Sequence, residues 1–588
     1  MSHTSLSGMG VSPGIAIGKP VIHESLPIST VRIGLPTTEL EAEVARFRKA
    51  VATAVEGMRE NQQRASRQMG AEYAGIFEAH QLIASDPSFL DPVEAIIRSE
   101  QVNAEWALDQ VAANFVKRFE ALPDAHLAER KLDVLDVATQ ILKALHGFDV
   151  GELAALEQPV ILVASDLAPS TTVQLPLDKV LGFVLEMGGP TAHTTIIARS
   201  LGIPVVVGAH GVCQLAQHAQ QVALDAFEGR IVFDPNPAEI SEFESRQREH
   251  RQHQAQLLQM RAMPTVTRDG HPLELLANID LPDEVATAVD CNVVGVGLYR
   301  SEFLYMKLSP NLPSEDDHVA VYRDLVERMD GRPVTIRTFD LGGRKLAREV
   351  IGAAETNPVL GLRGIRLCFS QPEFFRTQLR ALLRTAGGYP VGRVRIMFPL
   401  ISGIEEFRVA RLLVQRMRSE LREEGIDVPD GIPLGAMVEV PSSAVMAHDL
   451  AREADFLSIG TNDLIQYSLA VDRSNERVAH LYRPTSPAVL RMIAGVREAG
   501  DAEGVPVTVC GEMGADPLMV PLLVGLGLRR LSMNPQAVPV VRALIRQLSY
   551  RESVHMARQA LSMVTAREVE EHLLERLAIV LAKTKIRV

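Results

Sequence analysis

Cysteine is scarce in this 588-residue chain, and Cys213, Cys291, Cys368 and Cys510 are scattered with no CxxC pair. That spacing excludes a disulfide framework and a cysteine-ligated zinc site, and it fits a reducing cytosol. No apolar run approaches the ~20 residues that span a bilayer. The opening Met1-Ser2-His3-Thr4-Ser5-Leu6-Ser7 has neither the basic start nor the apolar stretch of a secretory signal. Basic charge is also short: 60 Lys and Arg face 73 Asp and Glu, a formal charge of −13. Nucleic acid is therefore not expected as a general partner. An acidic chain that handles an anionic substrate must build a basic pocket against its own field. A cytoplasmic protein without membrane or nucleic-acid partners is expected.

What is present is ordinary soluble composition, 46% hydrophobic and 23% charged, in a chain too long for one core, so two to four domains are expected. The most informative stretch is Gly188-Gly189-Pro190-Thr191-Ala192-His193, which follows a strand-like run over 180–185 and opens a helix-like one. Glycines there permit a sharp turn and close approach of an anion, and the amides of a helix start stabilise negative charge. An imidazole so placed is suited to carry a phosphoryl group as a nucleophile. A lone histidine at a helix start is more often a cap; the rest of the chain tips the balance.

Gly8-Met9-Gly10-Val11-Ser12-Pro13-Gly14-Ile15-Ala16-Ile17-Gly18 lacks the preceding strand and GKS/T ending of a nucleotide loop and reads as turns and short strands. Helices follow. Thr38 and Glu41 form a plausible capping box, and Leu40, Val44, Phe47, Val51, Val55 and Met58 mark one apolar stripe. Further helical patterns over 73–84, 92–99, 104–122 and 127–145 suggest helical hairpins, either a structural insert or a protein-docking surface. From about residue 157 the pattern changes to short strands over 159–164, 180–185, 204–207, 221–224 and 230–233, a compact β/α domain carrying His193. A very polar helix over 239–261 has too few apolar positions to bury a face and reads as a solvated connection. Beyond residue 265, strands over 274–279, 295–299, 334–338, 395–398, 435–440, 456–459, 507–509 and 530–533 alternate with amphipathic helices. That rhythm fits a TIM barrel.

Barrel chemistry sits where strands end. The strand ends here carry Arg300, Arg337, Arg363 with Arg366, Glu439, Asn462-Asp463 with Arg473 ten residues on, and Cys510-Gly511-Glu512. Several arginines and two carboxylates at one face need a ligand or metal to satisfy them. Arginine forks clamp phosphate and carboxylate, and Glu439 with Asp463 suit Mg2+, a hard cation. Cys510 is better placed for proton transfer than the other thiols, although a packed thiol fits its position equally well.

At these residues the chain resembles enzyme I of the phosphoenolpyruvate:sugar phosphotransferase system. The resemblance runs over nearly the whole length. It rests on Ser12-Pro13-Gly14, Ile76-Phe77-Glu78-Ala79-His80, residues 188–199, residues 295–306, Arg337-Thr338-Phe339-Asp340, residues 357–363, Met437-Val438-Glu439, residues 458–467, Asp472-Arg473 and Cys510-Gly511-Glu512-Met513. It implies a multidomain α/β chain: a helical bundle inserted in a phosphohistidine swivelling β/α domain, followed by a C-terminal TIM (β/α)8 barrel. The expected domains are 1–24 plus 148–236 for the swivelling module, 25–147 for a helical domain that docks the phosphocarrier HPr, 237–264 for a linker helix, and 265–588 for a phosphoenolpyruvate-binding, dimerising barrel.

The same resemblance assigns roles. His193 becomes the phosphohistidine, at its Nε2, and Cys510 the acid that protonates the enolate as pyruvate forms. Arg300, Arg337, Arg363, Asn462, Asp463 and Arg473 become phosphoenolpyruvate contacts, and Glu439 with Asp463 the Mg2+ ligands. There are departures: Pro190 and Ala192 stand where relatives carry a polar residue and a serine, Arg344 replaces an acid before Lys345, and Gly514-Ala515 inverts a common pair. Two other readings remain. An ATP-linked relative of pyruvate phosphate dikinase or phosphoenolpyruvate synthase needs a nucleotide domain upstream, and a non-catalytic sensor does not need the full residue set. With no sensory domain read ahead of Gly8 and no carrier domain fused, the stand-alone transport form is expected over a nitrogen-type regulatory branch.

Overall fold

The computed structural model describes residues 4–23, 30–68, 71–120, 125–147, 158–187, 203–261, 263–282, 284–308, 312–340, 357–473, 475 and 477–584. His193 and the rest of its motif, with Arg344 and Lys345, lie outside the described residues. The chain forms two compact units, Met1–Gln252 and His253–Val588. Among the described residues, no helix is long and apolar enough to cross a membrane. All four cysteines are free.

The first unit holds an eight-stranded sheet in the order β1-β8-β7-β3-β4-β5-β6-β2. Its strands are β1 (Thr4–Ser7), β2 (Met9–Ser12), β3 (Ile15–His23), β4 (Val160–Ala164), β5 (Val180–Leu185), β6 (Val205–Val207), β7 (Val222–Asp225) and β8 (Arg230–Phe233). β3 and β4 are parallel neighbours, Lys19 opposite Val160, yet the whole helical region separates them in sequence. The bundle is thus an insertion at one strand crossover. It comprises Leu40–Gln68, Ala71–Ser85, Pro87–Glu100, Ala104–Glu120 and Ala125–His146. Leu40, Val44, Phe47, Val51 and Met58 are buried in its core, with Val55 packed at the edge, as the stripe requires.

Three local expectations are corrected. Thr38 lies inside a 3-10 turn, Thr37–Glu39, that begins at Pro36 without a side-chain cap, and Glu41 pairs with Arg98 at 2.8 Å, so no capping box forms. The third helix begins at Pro87 rather than at 92, because Asp86 accepts the Ser88 N–H at 2.7 Å and Pro87 fills the first turn. The polar helix Pro237–Met260 is not solvated throughout. Phe243 is buried against Ile15, Ala223 and Val232, under the Arg230 guanidinium at 5.5 Å, and Arg246 pairs with Asp225 at 2.6 Å.

In the second unit, eight parallel strands close into a barrel: β9 (Glu274–Ile279), β10 (Val296–Arg300), β11 (Val334–Arg337), β12 (Val394–Phe398), β13 (Leu434–Val438), β14 (Phe456–Ile459), β15 (Val507–Val509) and β16 (Arg530–Met533). A large core lies between barrel and helices. A smaller cluster of Leu298, Met397, Met437, Phe456 and Cys510 is packed separately.

Candidate active site

The carboxyl ends of the barrel strands bring the charged residues together. Arg300 and Arg337 are the last residues of β10 and β11, Glu439 follows β13, and Cys510 follows β15. Arg363 precedes the helix Gly364–Ser370. Asn462 and Asp463 lie in the first turn of Thr461–Leu469, where the helix dipole favours a carboxylate.

At the centre is Asp340. Arg363 Nε and Nη2 donate to its two oxygens at 3.1 and 3.0 Å, while Arg337 Nη1 approaches Oδ2 at 2.9 Å. Arg363 Nη2 also reaches Asp463 Oδ2 at 3.0 Å, and Nη1 reaches the Tyr467 hydroxyl at 3.2 Å. Arg337 Nη2 donates to Glu302 Oε1 at 3.0 Å. Burial alone would raise the Asp340 carboxyl, but Arg337 and Arg363 outweigh it and hold it below its usual range.

Glu439 has the opposite fate. Burial, then repulsion from Asp340 and Asp463, pushes its carboxyl up to about 8 despite Arg337 and Arg363. Its Oε1 accepts the Leu400 N–H at 2.6 Å, and Leu400 holds φ +56° to aim that donor, a costly conformation for leucine. Gly460 leaves room on the other side: a Cβ there would sit 2.7 Å from Glu439 Oε2.

Asp340, Glu439 and Asp463 are all buried, and one ligand oxygen from each lies within 4.8 Å of the others. An all-carboxylate set of this kind fits a hard divalent cation. Two arginines hold Asp340 and one of them, Arg363, also reaches Asp463, while Glu439 Oε1 takes the Leu400 N–H. Glu302 Oε2, Arg337 Nε, Thr338 Oγ1 and Thr461 Oγ1 are buried with no partner among the described residues, polar capacity that a ligand could satisfy.

The remaining residues surround this centre. Arg300 pairs with Asp280 at 2.7 Å, and its charge reaches Asp340 and Cys510. Asn462 exchanges two 3.0 Å hydrogen bonds with Glu512, side chain to side chain and Glu512 N–H to Asn462 Oδ1. Arg473 pairs with Glu512 at 3.5 Å, and its N–H donates to Gln466 Oε1. The Cys510 thiol faces the Ile459 carbonyl at 3.4 Å, and burial pushes its pKa up to about 11, so it stays protonated at neutral pH. The strand-end reading had not singled out Asp340, Glu302 or Asp280. Each lies within three residues of a strand end, the same signal that marked Arg300.

Three family models match: "PEP-utilising enzyme, N-terminal" over residues 7–130, "PEP-utilising enzyme, mobile domain" over 156–229, and "PEP-utilising enzyme, PEP-binding domain" over 254–550. The phosphoenolpyruvate-protein phosphotransferase of Bacillus subtilis (strain 168) is 41% identical over 564 residues, 96% of this chain and 98% of that one. That of Geobacillus stearothermophilus is 41% identical over 565 residues, 96% and 97% of the two chains. A solution structure of an Enzyme I protein covers 42% of this chain and 99% of its own, at 35% identity and TM-score 0.37.

Proposed function

This chain belongs to the phosphoenolpyruvate-protein phosphotransferases, within the PEP-utilising enzymes, and on that premise we propose how its residues carry the reaction. It is a transferase that moves the phosphoryl group of phosphoenolpyruvate to protein. The group passes first to Nε2 of His193 and then to a histidine of the phosphocarrier HPr, with release of pyruvate, as the entry step of a sugar phosphotransferase system.

Arg300, Arg337, Arg363, Asn462 and Arg473 hold and neutralise phosphoenolpyruvate at the barrel mouth. Neutral His193 attacks phosphorus in line; the N–P bond forms as the bond from phosphorus to the enol oxygen breaks. The electron pair stays on the enolate, and the Cys510 thiol gives its proton to the terminal carbon, which completes pyruvate. Glu439 and Asp463, with Asp340 beside them, would hold Mg2+, whose charge would stabilise the phosphoryl oxygens.

One imidazole cannot serve a barrel mouth and a docked carrier without moving. The module of residues 1–24 plus 148–236 therefore swivels, with 25–147 as the HPr dock, 237–264 as the link, and 265–588 as the phosphoenolpyruvate-binding barrel through which two copies pair. The setting is the cytoplasm.

The observation that carries this reading is the packing of Arg337 and Arg363 among three buried carboxylates, beside a thiol kept protonated by burial. Incubated with phosphoenolpyruvate and HPr, the protein is expected to form pyruvate and phosphorylated carrier, and His193→Ala neither. Phosphorylated carrier from His193→Ala would refute the assignment.

A further inference from the structure

The opposite end of the barrel holds a second basic feature that the phosphoryl-transfer reading does not use. Arg395 is the second residue of β12, Asp455 immediately precedes β14, and Arg530 is the first residue of β16. All three line a cavity of about 470 Å3 at the amino-terminal mouth of the strands, together with Arg411, Arg418 and Asp430. With strands of four or five residues, this floor lies on the order of 15 Å from the catalytic mouth.

The charges in the cavity do not cancel. Asp455 accepts the Leu434 N–H at 2.7 Å. Asp430 is shared by Arg418 and Arg422 at 3.3 and 3.0 Å. Arg411 pairs with Glu453 at 2.6 Å, and Arg530 with Glu274 at 2.8 Å. Arg395 is half-buried, and among the described residues it has no carboxylate; its hydrogen bond is to the Gly392 carbonyl at 3.4 Å. Burial, then the neighbouring Arg530 charge, push its guanidinium below the usual range, against a smaller opposing effect of Glu274, which is itself paired with Arg530. A guanidinium left this way inside an acidic protein is costly unless an anion faces it, and the volume suits a small ligand.

We propose that this floor cavity binds a small oxyanion carrying phosphoryl or carboxylate groups, held by Arg395 and Arg530, at a site separate from the catalytic mouth. The test is equilibrium dialysis of the full-length protein against radiolabelled inorganic phosphate in metal-free buffer without chelator, with the catalytic mouth disabled by Arg337→Met in a parallel arm. Wild type is expected to retain a saturable class of bound phosphate, and Arg395→Met to weaken it at least tenfold with an unchanged melting temperature. If Arg395→Met melts early, Arg395→Gln provides the same comparison. Displacement of the label by citrate assigns the site to carboxylates as well; retention against citrate assigns it to phosphoryl groups. The proposal is overturned if phosphate binding is equal in wild type and folded Arg395 variant, or if folded Arg337→Met, which disables only the catalytic mouth, removes all of it.

Discussion

Arg363 grips Asp340 with two nitrogens at 3.1 and 3.0 Å, and one of those nitrogens also reaches Asp463 at 3.0 Å. Only a planar guanidinium makes both contacts. Arg363→Lys keeps the charge and loses the fork. It is expected to lower kcat/KM for phosphoenolpyruvate about 100-fold, or ~2.7 kcal/mol, without unfolding the barrel. Steady-state pyruvate formation checks this, and kinetics within twofold of wild type contradict it.

Gly460 separates Glu439 from the chain by steric necessity, since a Cβ there would meet Glu439 Oε2 at 2.7 Å and its Cβ at 3.0 Å. Gly460→Ala is expected to displace that carboxylate and raise the Mg2+ concentration for half-maximal activity at least tenfold, an effect of the size seen when metal-site positioning is lost. Gly495, inside the helix Pro487–Glu503, meets nothing within 4 Å. Gly495→Ala should instead stabilise by about 0.5–1 kcal/mol, read as a raised melting temperature with Mg2+ dependence unchanged.

Cys510 is expected to act as acid rather than as packing. Cys510→Ala should slow pyruvate formation by about 10²–10⁴-fold. Phosphoenolpyruvate stereospecifically labelled at its terminal carbon should then give pyruvate whose methyl group has lost its chirality, because water protonates either face. Retained chirality at near wild-type rate contradicts the role.

His318 gives a pH dependence unrelated to catalysis. It is fully buried, with its ring nitrogens 3.0 Å from the Tyr305 and Tyr322 hydroxyls. Burial lowers its pKa from 6.5 to about 4, against a small opposing effect of Asp317. As pH falls the unfolded chain takes up this proton first, so the stability present above pH 6.5 drains away as pH approaches 4. The full loss is about 3 kcal/mol. Urea midpoints of the barrel for wild type and His318→Gln should converge, then cross, as pH falls through that window; parallel curves contradict it.

Much of this was legible in the chain because burial and chemistry coincide with simple patterns. Phe456–Ile459 and Arg530–Met533 were read at the observed bounds, since short apolar runs between polar turns leave little freedom to a parallel strand. Asp340 was not singled out, because a carboxylate three residues past Arg337 reads as solvated until two arginines are seen to close over it. Phe243 was invisible for a related reason: one aromatic in a helix of glutamines and arginines reads as solvated until Ile15, Ala223 and Val232 are seen to pack against it. Thr38 and Glu41 matched a cap by spacing, but Pro36 starts a tighter turn and Arg98 claims the glutamate.

The central claim is that a single imidazole takes the phosphoryl group from phosphoenolpyruvate. Brief exposure of the intact protein to labelled phosphoenolpyruvate and Mg2+, followed by peptide mapping at alkaline pH, tests it most directly. The account predicts one acid-labile, alkali-stable phosphate per chain, on His193. A stable phosphate on another residue, or no covalent phosphate while pyruvate accumulates, contradicts it.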